Sequence, residues 1–189
     1  MPNKPRILAF AGSARRESLN KKLLAVAVKE TRDAGGDVTL IDLNDLPIPL
    51  YHGDEEAAHG QPENALKLVE LIRQHQALLV ASPEYNSQIT PLLKNTIDWC
   101  SRSDPNPFVG KVATVMSASP GPYGGVRSAA IVRQLLNKLG CFVAPSQVSV
   151  SRAHEAFDEA GALKQAHAAK LVKEMAVELV TMTTKLAAP

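Results

Sequence analysis

The chain is poor in cysteine, in long apolar runs and in any excess of one charge, and each shortage removes a class of protein. Its two cysteines, Cys100 and Cys141, lie far apart, form no CxxC or metal-ligand spacing and sit in apolar segments. That excludes a disulfide framework and a thiolate metal centre, and predicts free, buried thiols. No window approaches the roughly 18 consecutive apolar residues of a membrane span. The basic lead Met1–Arg6 is followed by only about five apolar residues before Gly12, too few for the apolar region of a secretion signal. A soluble, cytoplasmic protein is expected. With 21 basic and 19 acidic residues the net charge is +2, which builds no field suited to nucleic acid or an anionic membrane surface. A small-molecule ligand is the better default. The length of 189 residues suits one domain, 1–189, with a substantial core.

What is present is an alternation of strand and helix patterns. The run Ile7–Ala11 reads as a buried strand. Leu23, Leu24, Ala27 and Val28 share one face of a helix over Asn20–Ala34, which stops at Gly35-Gly36. Val38–Leu43 reads as a second strand. Residues Asn44–Pro62, with three prolines and two glycines, sustain no period and read as the longest loop, a functional segment or a solvated excursion. A helix from Pro62 to Gln74 and a continuous apolar strand, Ala77–Ala81, follow. After a loop at Ser82–Gln88, the stripe Ile89, Leu92, Leu93, Thr96, Ile97 and Cys100 marks a helix with Trp99 on its flank. Lys111–Ala118 is a fourth strand, Ser119–Gly125 a small-residue loop, and Val126–Leu139 a helix ending at Gly140. Cys141–Val150 reads as a fifth strand in which Pro145 implies an edge position or a bulge. The last helix spans about Ala162 to Leu186. Five strands alternating with five helices predict a three-layer α/β domain around a parallel sheet. If its order is 2-1-3-4-5, a ligand crevice opens between the first and third strands. The loops after strands one, three and four, rich in Gly, Ser, Pro, Tyr and Asn, lie at that edge.

The first of these loops, Gly12 to Asn20, joins a strand to a helix N-terminus, where backbone N–H groups and the helix dipole favour an anion. Ser13 and Ser18 add hydroxyls, Asn20 an amide and Arg15 a guanidinium, and Gly12 permits a close backbone approach. The plainer reading makes Ser18 a helix cap and Arg15 a solvated charge. Neither the Walker pattern nor GxGxxG occurs here, so a phosphate is more naturally held than transferred. In the second loop Pro83 fixes the backbone and Tyr85 offers a face to a flat heteroaromatic ring, although taken alone this tyrosine is better explained by ordinary packing at a strand end. The five histidines, His52, His59, His75, His154 and His167, are scattered and read as surface residues.

Taken together, these residues carry a resemblance. Gly12-Ser13-x-Arg15-x-x-Ser18-x-Asn20, then Pro83-Glu84-Tyr85-Asn86 with Leu93-Lys94-Asn95-Thr96-Ile97-Asp98-Trp99, and Ser117-Ala118-Ser119-Pro120-Gly121 with Gly124-Gly125-x-Arg127-Ser128, resemble the NADPH-dependent FMN reductase family of flavodoxin-like proteins. This group includes quinone, azo-dye and chromate reductases. The likeness implies a three-layer flavodoxin-like fold with a five-stranded parallel sheet, order 2-1-3-4-5. It implies FMN, with the phosphate held by Ser13, Arg15, Ser18, Leu19 and Asn20. The isoalloxazine would lie against Pro83, Glu84, Tyr85 and Asn86, with Ser117 and Ser119 near its other edge. The family usually carries serine where this chain has Gln88, the serine here being Ser87, so side-chain contacts from those two positions do not carry over. The implied reaction passes hydride from NAD(P)H through FMN to a small acceptor such as a quinone, azo compound or oxidised metal. Because the cofactor carries the chemistry, no catalytic residue of the chain is required. Tyr85, Tyr51 or Tyr123 would bound the nicotinamide. The likeness also implies a homodimer or homotetramer, with Trp99 either in the core or at an interface. The alternative is a flavodoxin-type electron carrier serving a protein partner, for which the slightly basic chain lacks an acidic docking face. A phospho-receiver domain of the same topology would need paired acids after the first strand, where Gly12-Ser13 stands.

Overall fold

The structure is a computed structural model and describes residues 4–186, so the first half of the basic lead lies outside the described residues. Strand β1 (Arg6–Ala11) is buried from its second residue onward. Helix α1 (Leu19–Asp33) starts at an N-cap, Ser18, whose hydroxyl accepts from the Asn20 N–H, one of the helix's orphan donors. Strand β2 (Asp37–Leu40) follows. Next come the short α2 (Gly53–His59), α3 (Glu63–Gln74), β3 (Ala77–Ala81), a two-stranded hairpin of β4 (Glu84–Tyr85) and β5 (Gln88–Ile89), and α4 (Pro91–Cys100). The chain ends with β6 (Val112–Ala118), α5 (Val126–Lys138), β7 (Phe142–Val143), β8 (Val148–Val150) and α6 (Ala166–Leu186).

The main sheet is parallel throughout, in the order β2-β1-β3-β6-β7 with β8 also on β6. This is the 2-1-3-4-5 order of the flavodoxin-like fold with its fifth strand broken in two. Phe142 and Val143 pair with the start of β6, while Val148 to Val150 pair with its end. The break falls around Pro145, which has no N–H to give a ladder. Carbonyls of the interrupted stretch are taken up instead by Arg133, whose Nη1 donates to Ala144 at 2.7 Å and Ser146 at 3.3 Å.

Side chains alternate across the sheet and bury against a helical layer on each face. Ile7, Ala9, Leu79 and Met116 pack with Leu23 and Leu24 of α1 and Val172, Met175 and Leu179 of α6. Leu8, Phe10, Leu78, Val80 and Val115 pack with Leu68 and Ile72 of α3, Leu93 and Ile97 of α4, and Val132 and Leu136 of α5. Helices α1 and α6 therefore cover one face and α3 to α5 the other. Cys100 and Cys141 are both buried and unpaired.

Several expectations need correction. Residues 44–62 are not a featureless loop: they hold a 3₁₀ turn at Leu43–Asp45 and helix α2. No residue of α2 is buried, so the helix carries no apolar stripe that a periodicity argument could detect. Nor is the segment loose. Asn95 of α4 accepts from the Tyr51 N–H at 2.8 Å and donates to the Pro49 carbonyl at 2.9 Å, and the Trp99 indole donates to the same carbonyl at 2.8 Å. Trp99 is 1% exposed and packs edge to face with Tyr51 at 5.0 Å, so it is a core residue of its own chain. His75 is buried as well, with Nδ1 2.6 Å from the Leu71 carbonyl and Nε2 2.8 Å from the Thr39 hydroxyl. It lies just before an all-buried strand, where a side chain able to bond at both ends can be enclosed. The last helix begins at Ala166, because the preceding residues form turns closed by a bridge between Phe157 and Leu163. Among the described residues no helix is long and apolar enough to cross a membrane.

Candidate functional site

Because β1, β3 and β6 are adjacent and parallel, the loops that follow them share one edge of the sheet. The first loop is held from three directions. The Gly12 N–H extends the ladder to Ala81 at 2.9 Å, and the Gly12 carbonyl accepts from the Thr90 hydroxyl at 2.6 Å. A Cβ on Gly12 would stand 2.6 Å from Cβ of Leu93, so only glycine lets the loop lie this close to α4. From the β2 side, the Asn44 amide donates to the Ala14 carbonyl at 3.1 Å. Lys21 of α1 pairs with Asp42. Burial pushes the Asp42 carboxyl up, but the hydrogen bonds from Lys21 and the Asn44 N–H outweigh it and leave the group below its ordinary value.

The predicted anion ligands gather here in different states. Ser13 and Ser18 are buried. The Ser13 hydroxyl accepts from the Arg15 N–H at 3.3 Å and the Ser18 hydroxyl from the Asn20 N–H at 3.2 Å. Each oxygen accepts in these bonds, and each hydroxyl proton remains to be donated. Capping and anion binding by Ser18 are thus compatible. The Ser13 N–H makes no hydrogen bond among the described residues. Leu19 opens α1, where backbone donors lack an intrahelical partner, and Arg15 is exposed. Asn20 is already occupied by a structural task. Its Nδ2 donates to the Ala118 carbonyl at 2.8 Å and its Oδ1 accepts from the Ala118 N–H at 2.9 Å. That two-point clamp ties the first loop to the end of β6 and leaves one amide N–H for any ligand.

The second loop proves to be a hairpin, β4 to β5, with Tyr85 paired to Gln88. Its two turn residues, Asn86 and Ser87, have φ of 51° and 65°, as a two-residue turn matching the strand twist demands. Pro83 is buried, its carbonyl accepting from the Ser128 hydroxyl at 2.8 Å. Glu84 turns its carboxylate to the start of α5, accepting from the N–H groups of Arg127 at 3.0 Å and Ser128 at 3.2 Å. Gly125, the N-cap of α5, has no side chain to perform that task, so Glu84 caps the helix from outside and its carboxylate is committed there. Tyr85 at 45% and Tyr123 at 62% exposure stand at the rim, and the Arg127 guanidinium lies 4.8 Å over the Tyr123 ring.

In the third loop Ser117 is fully buried, its hydroxyl 2.9 Å from that of Ser149. Ser119 accepts from the Gly121 N–H at 3.2 Å. Gly124 lies against the backbone of Ser149 to Ser151, where a Cβ would approach within 2.8 Å. Tyr51 packs on Trp99 and its hydroxyl donates to Glu56 at 2.9 Å.

Thr90, Asn44 and the buried Ser82 to Ser128 hydroxyl pair at 2.7 Å join the site without having been expected from the sequence. Thr90 carried a usable signal, since Thr-Pro before an apolar stripe is an N-cap followed by proline in the first turn. The other two arise from contacts between distant segments and had none.

Comparison with known proteins shows the family. The profile of the NADPH-dependent FMN reductase family matches residues 5–155. An NAD(P)H-dependent FMN reductase from Pseudomonas aeruginosa is 36% identical over 170 residues, covering 89% of this chain and 90% of the relative. A quinone reductase from Escherichia coli is 33% identical over 147 residues, covering 76% of this chain and 75% of the relative. Among solved structures, the flavoenzyme NAD(P)H:acceptor oxidoreductase FerB from Paracoccus denitrificans superposes with a TM-score of 0.83 at 28% identity, covering 96% of this chain and 98% of its own.

Proposed function

The chain belongs to the NADPH-dependent FMN reductase family, and from that premise we infer an FMN-dependent NAD(P)H oxidoreductase that acts on small acceptors such as quinones. FMN, when bound, supplies the hydride and electron transfer. The observation that carries the site assignment is the composition of the first loop. It presents the buried Ser13 and Ser18 hydroxyls, the unbonded Ser13 N–H and the N-terminus of α1, with Arg15 exposed beside them. Such a set favours a phosphate monoester.

In this reading Ser13, Arg15, Ser18 and the Leu19 N–H hold the phosphate, and Asn20 adds its remaining amide N–H. The flavin ring lies over Pro83 to Asn86, with backbone atoms of Glu84, Tyr85 and Asn86 facing it, and the Ser117 to Ser119 backbone meets its other edge. Those donors and the rigid turn orient the ring so that one face stays open. Tyr85 and Tyr123 bound that open face, where nicotinamide and acceptor bind in turn, and a rim of two exposed tyrosines discriminates weakly among flat acceptors. We also propose self-association as a homodimer or homotetramer. Leu50, 82% exposed on a segment pinned to α4, supports a face that another copy covers.

Arg15→Ala and Ser18→Ala should each weaken FMN retention by about tenfold, the scale of one charge-assisted hydrogen bond. Turnover should return with excess FMN. Equilibrium dialysis together with quinone-dependent NADPH oxidation reads both effects, and unchanged FMN affinity in both variants would refute the phosphate assignment. Oxidation of NADPH by a soluble quinone with no protein partner present separates this enzyme from an electron carrier.

A further inference from the structure

The phosphate loop owes the direction of its first peptide to a residue that does not belong to it. Thr90 is buried, lies beyond the hairpin and caps α4, accepting from the Leu93 N–H at 3.3 Å. Its own proton goes to the Gly12 carbonyl at 2.6 Å. The Gly12–Ser13 peptide is trans, since the cis bond recorded among the described residues is Asp104–Pro105. In a planar trans peptide the C=O and N–H vectors point in opposite directions. Fixing the Gly12 carbonyl on Thr90 therefore turns the Ser13 N–H away from α4. That N–H has no acceptor among the described residues and belongs to a residue only 2% exposed. An unpartnered backbone donor at a buried residue is costly unless a ligand or water accepts from it.

We propose that Thr90 is a positioning residue for the FMN phosphate: its hydroxyl orients the Gly12–Ser13 peptide and so presents the Ser13 N–H to the phosphate oxygen. The proposal rests on the FMN reading above. Three features make the arrangement stiff. Gly12 is held at its N–H by Ala81, at its carbonyl by Thr90, and at Cα by Leu93, against which no Cβ fits. With Thr90 removed, the carbonyl loses its partner and the peptide is free to rotate, moving the donor off the ligand.

The test compares FMN with riboflavin, which carries the same ring and no phosphate. Dissociation constants for both flavins are measured by fluorescence quenching on the apo-protein of the wild type, Thr90→Val, Thr90→Ala and Thr90→Ser. Loss of the α4 cap would lower stability and affect both flavins alike, whereas loss of the phosphate donor affects FMN alone. The expected result is an FMN affinity lower by about tenfold in Thr90→Val, riboflavin affinity unchanged, and the wild-type ratio restored in Thr90→Ser. Thr90→Ala offers the same comparison with no branched side chain to accommodate, should valine prevent folding. An unchanged FMN-to-riboflavin ratio in the variants lacking the hydroxyl would overturn the role of Thr90. Equal affinity of the wild type for the two flavins would instead overturn the phosphate site, and this inference with it.

Discussion

At the scale of single residues, the site is built from side chains that spend their polar atoms on one another's backbones. Asn20 clamps Ala118, Glu84 caps α5 and Thr90 holds Gly12. A buried amide or carboxylate with several bonds is worth more as a fastener than as a loosely held ligand, because each unmade bond would cost desolvation. Gly12 shows how tight the fit is. Gly12→Ala would place a methyl 2.6 Å from Cβ of Leu93, a contact that no rotamer relieves because both atoms are fixed by backbone. Overpacking of this kind costs about 1–3 kcal/mol. We expect Gly12→Ala to lower the urea midpoint by a corresponding amount and to reduce FMN affinity, as read by denaturation and flavin fluorescence. A wild-type midpoint would contradict the close approach.

At the scale of elements, the hairpin between β3 and α4 illustrates local strain next to a binding edge. Both turn residues sit at positive φ, and neither is glycine. Asparagine adopts this region readily, whereas serine meets the ordinary steric penalty of about 1–2 kcal/mol. Ser87→Gly should therefore raise stability by about 0.5–1 kcal/mol, part of the relief being offset by the larger entropy of the unfolded glycine. Thermal unfolding of the apo-protein reads this, and a lower midpoint would show that Ser87 Oγ, 3.4 Å from Arg127, matters more than its backbone. The neighbouring segment 44–62 makes a related point about reading elements. Its prolines and missing stripe suggested a loop, yet Asn95 and Trp99 pin it to α4 at Pro49 and Tyr51.

At the scale of the whole molecule, the core between the sheet and the α3–α5 layer buries both thiols so completely that their ionisation becomes coupled to folding. Burial pushes the Cys100 and Cys141 thiols up to about 12 from the ordinary value of 9.0. In the unfolded chain they lose their protons near pH 9, while the folded chain keeps them until about pH 12. The unfolded state thus binds fewer protons in that window, and stability falls as pH rises. We expect urea midpoints to drop as pH rises from 9.0 to about 12, the window the pKa gap sets, and a Cys100→Ala, Cys141→Ala double variant to show a shallower drop. An equal slope in both proteins would locate the alkaline loss elsewhere.

The strand and helix succession, the parallel sheet and the three loops at one edge were legible in the sequence. They follow from short-range causes: apolar period, glycine and proline stops, and the helix cap at Ser18. The motif positions from Gly12 to Asn20 could likewise be read as an anion site, since strand-to-helix geometry dictates where backbone donors point, whereas Pro83 to Asn86 read as a ring site only through the family resemblance. Only the tertiary structure decided which polar atoms remain free to bind. Asn20 and Ala118, Glu84 and Arg127, and Thr90 and Gly12 are far apart in the chain, and no local pattern tells a committed amide from an available one. The same holds for Trp99 and His75, whose burial is set by what other segments lay over them. Periodicity specifies which face of an element turns inward, whereas the partner of each polar group depends on which elements meet, and that is settled when the layers close.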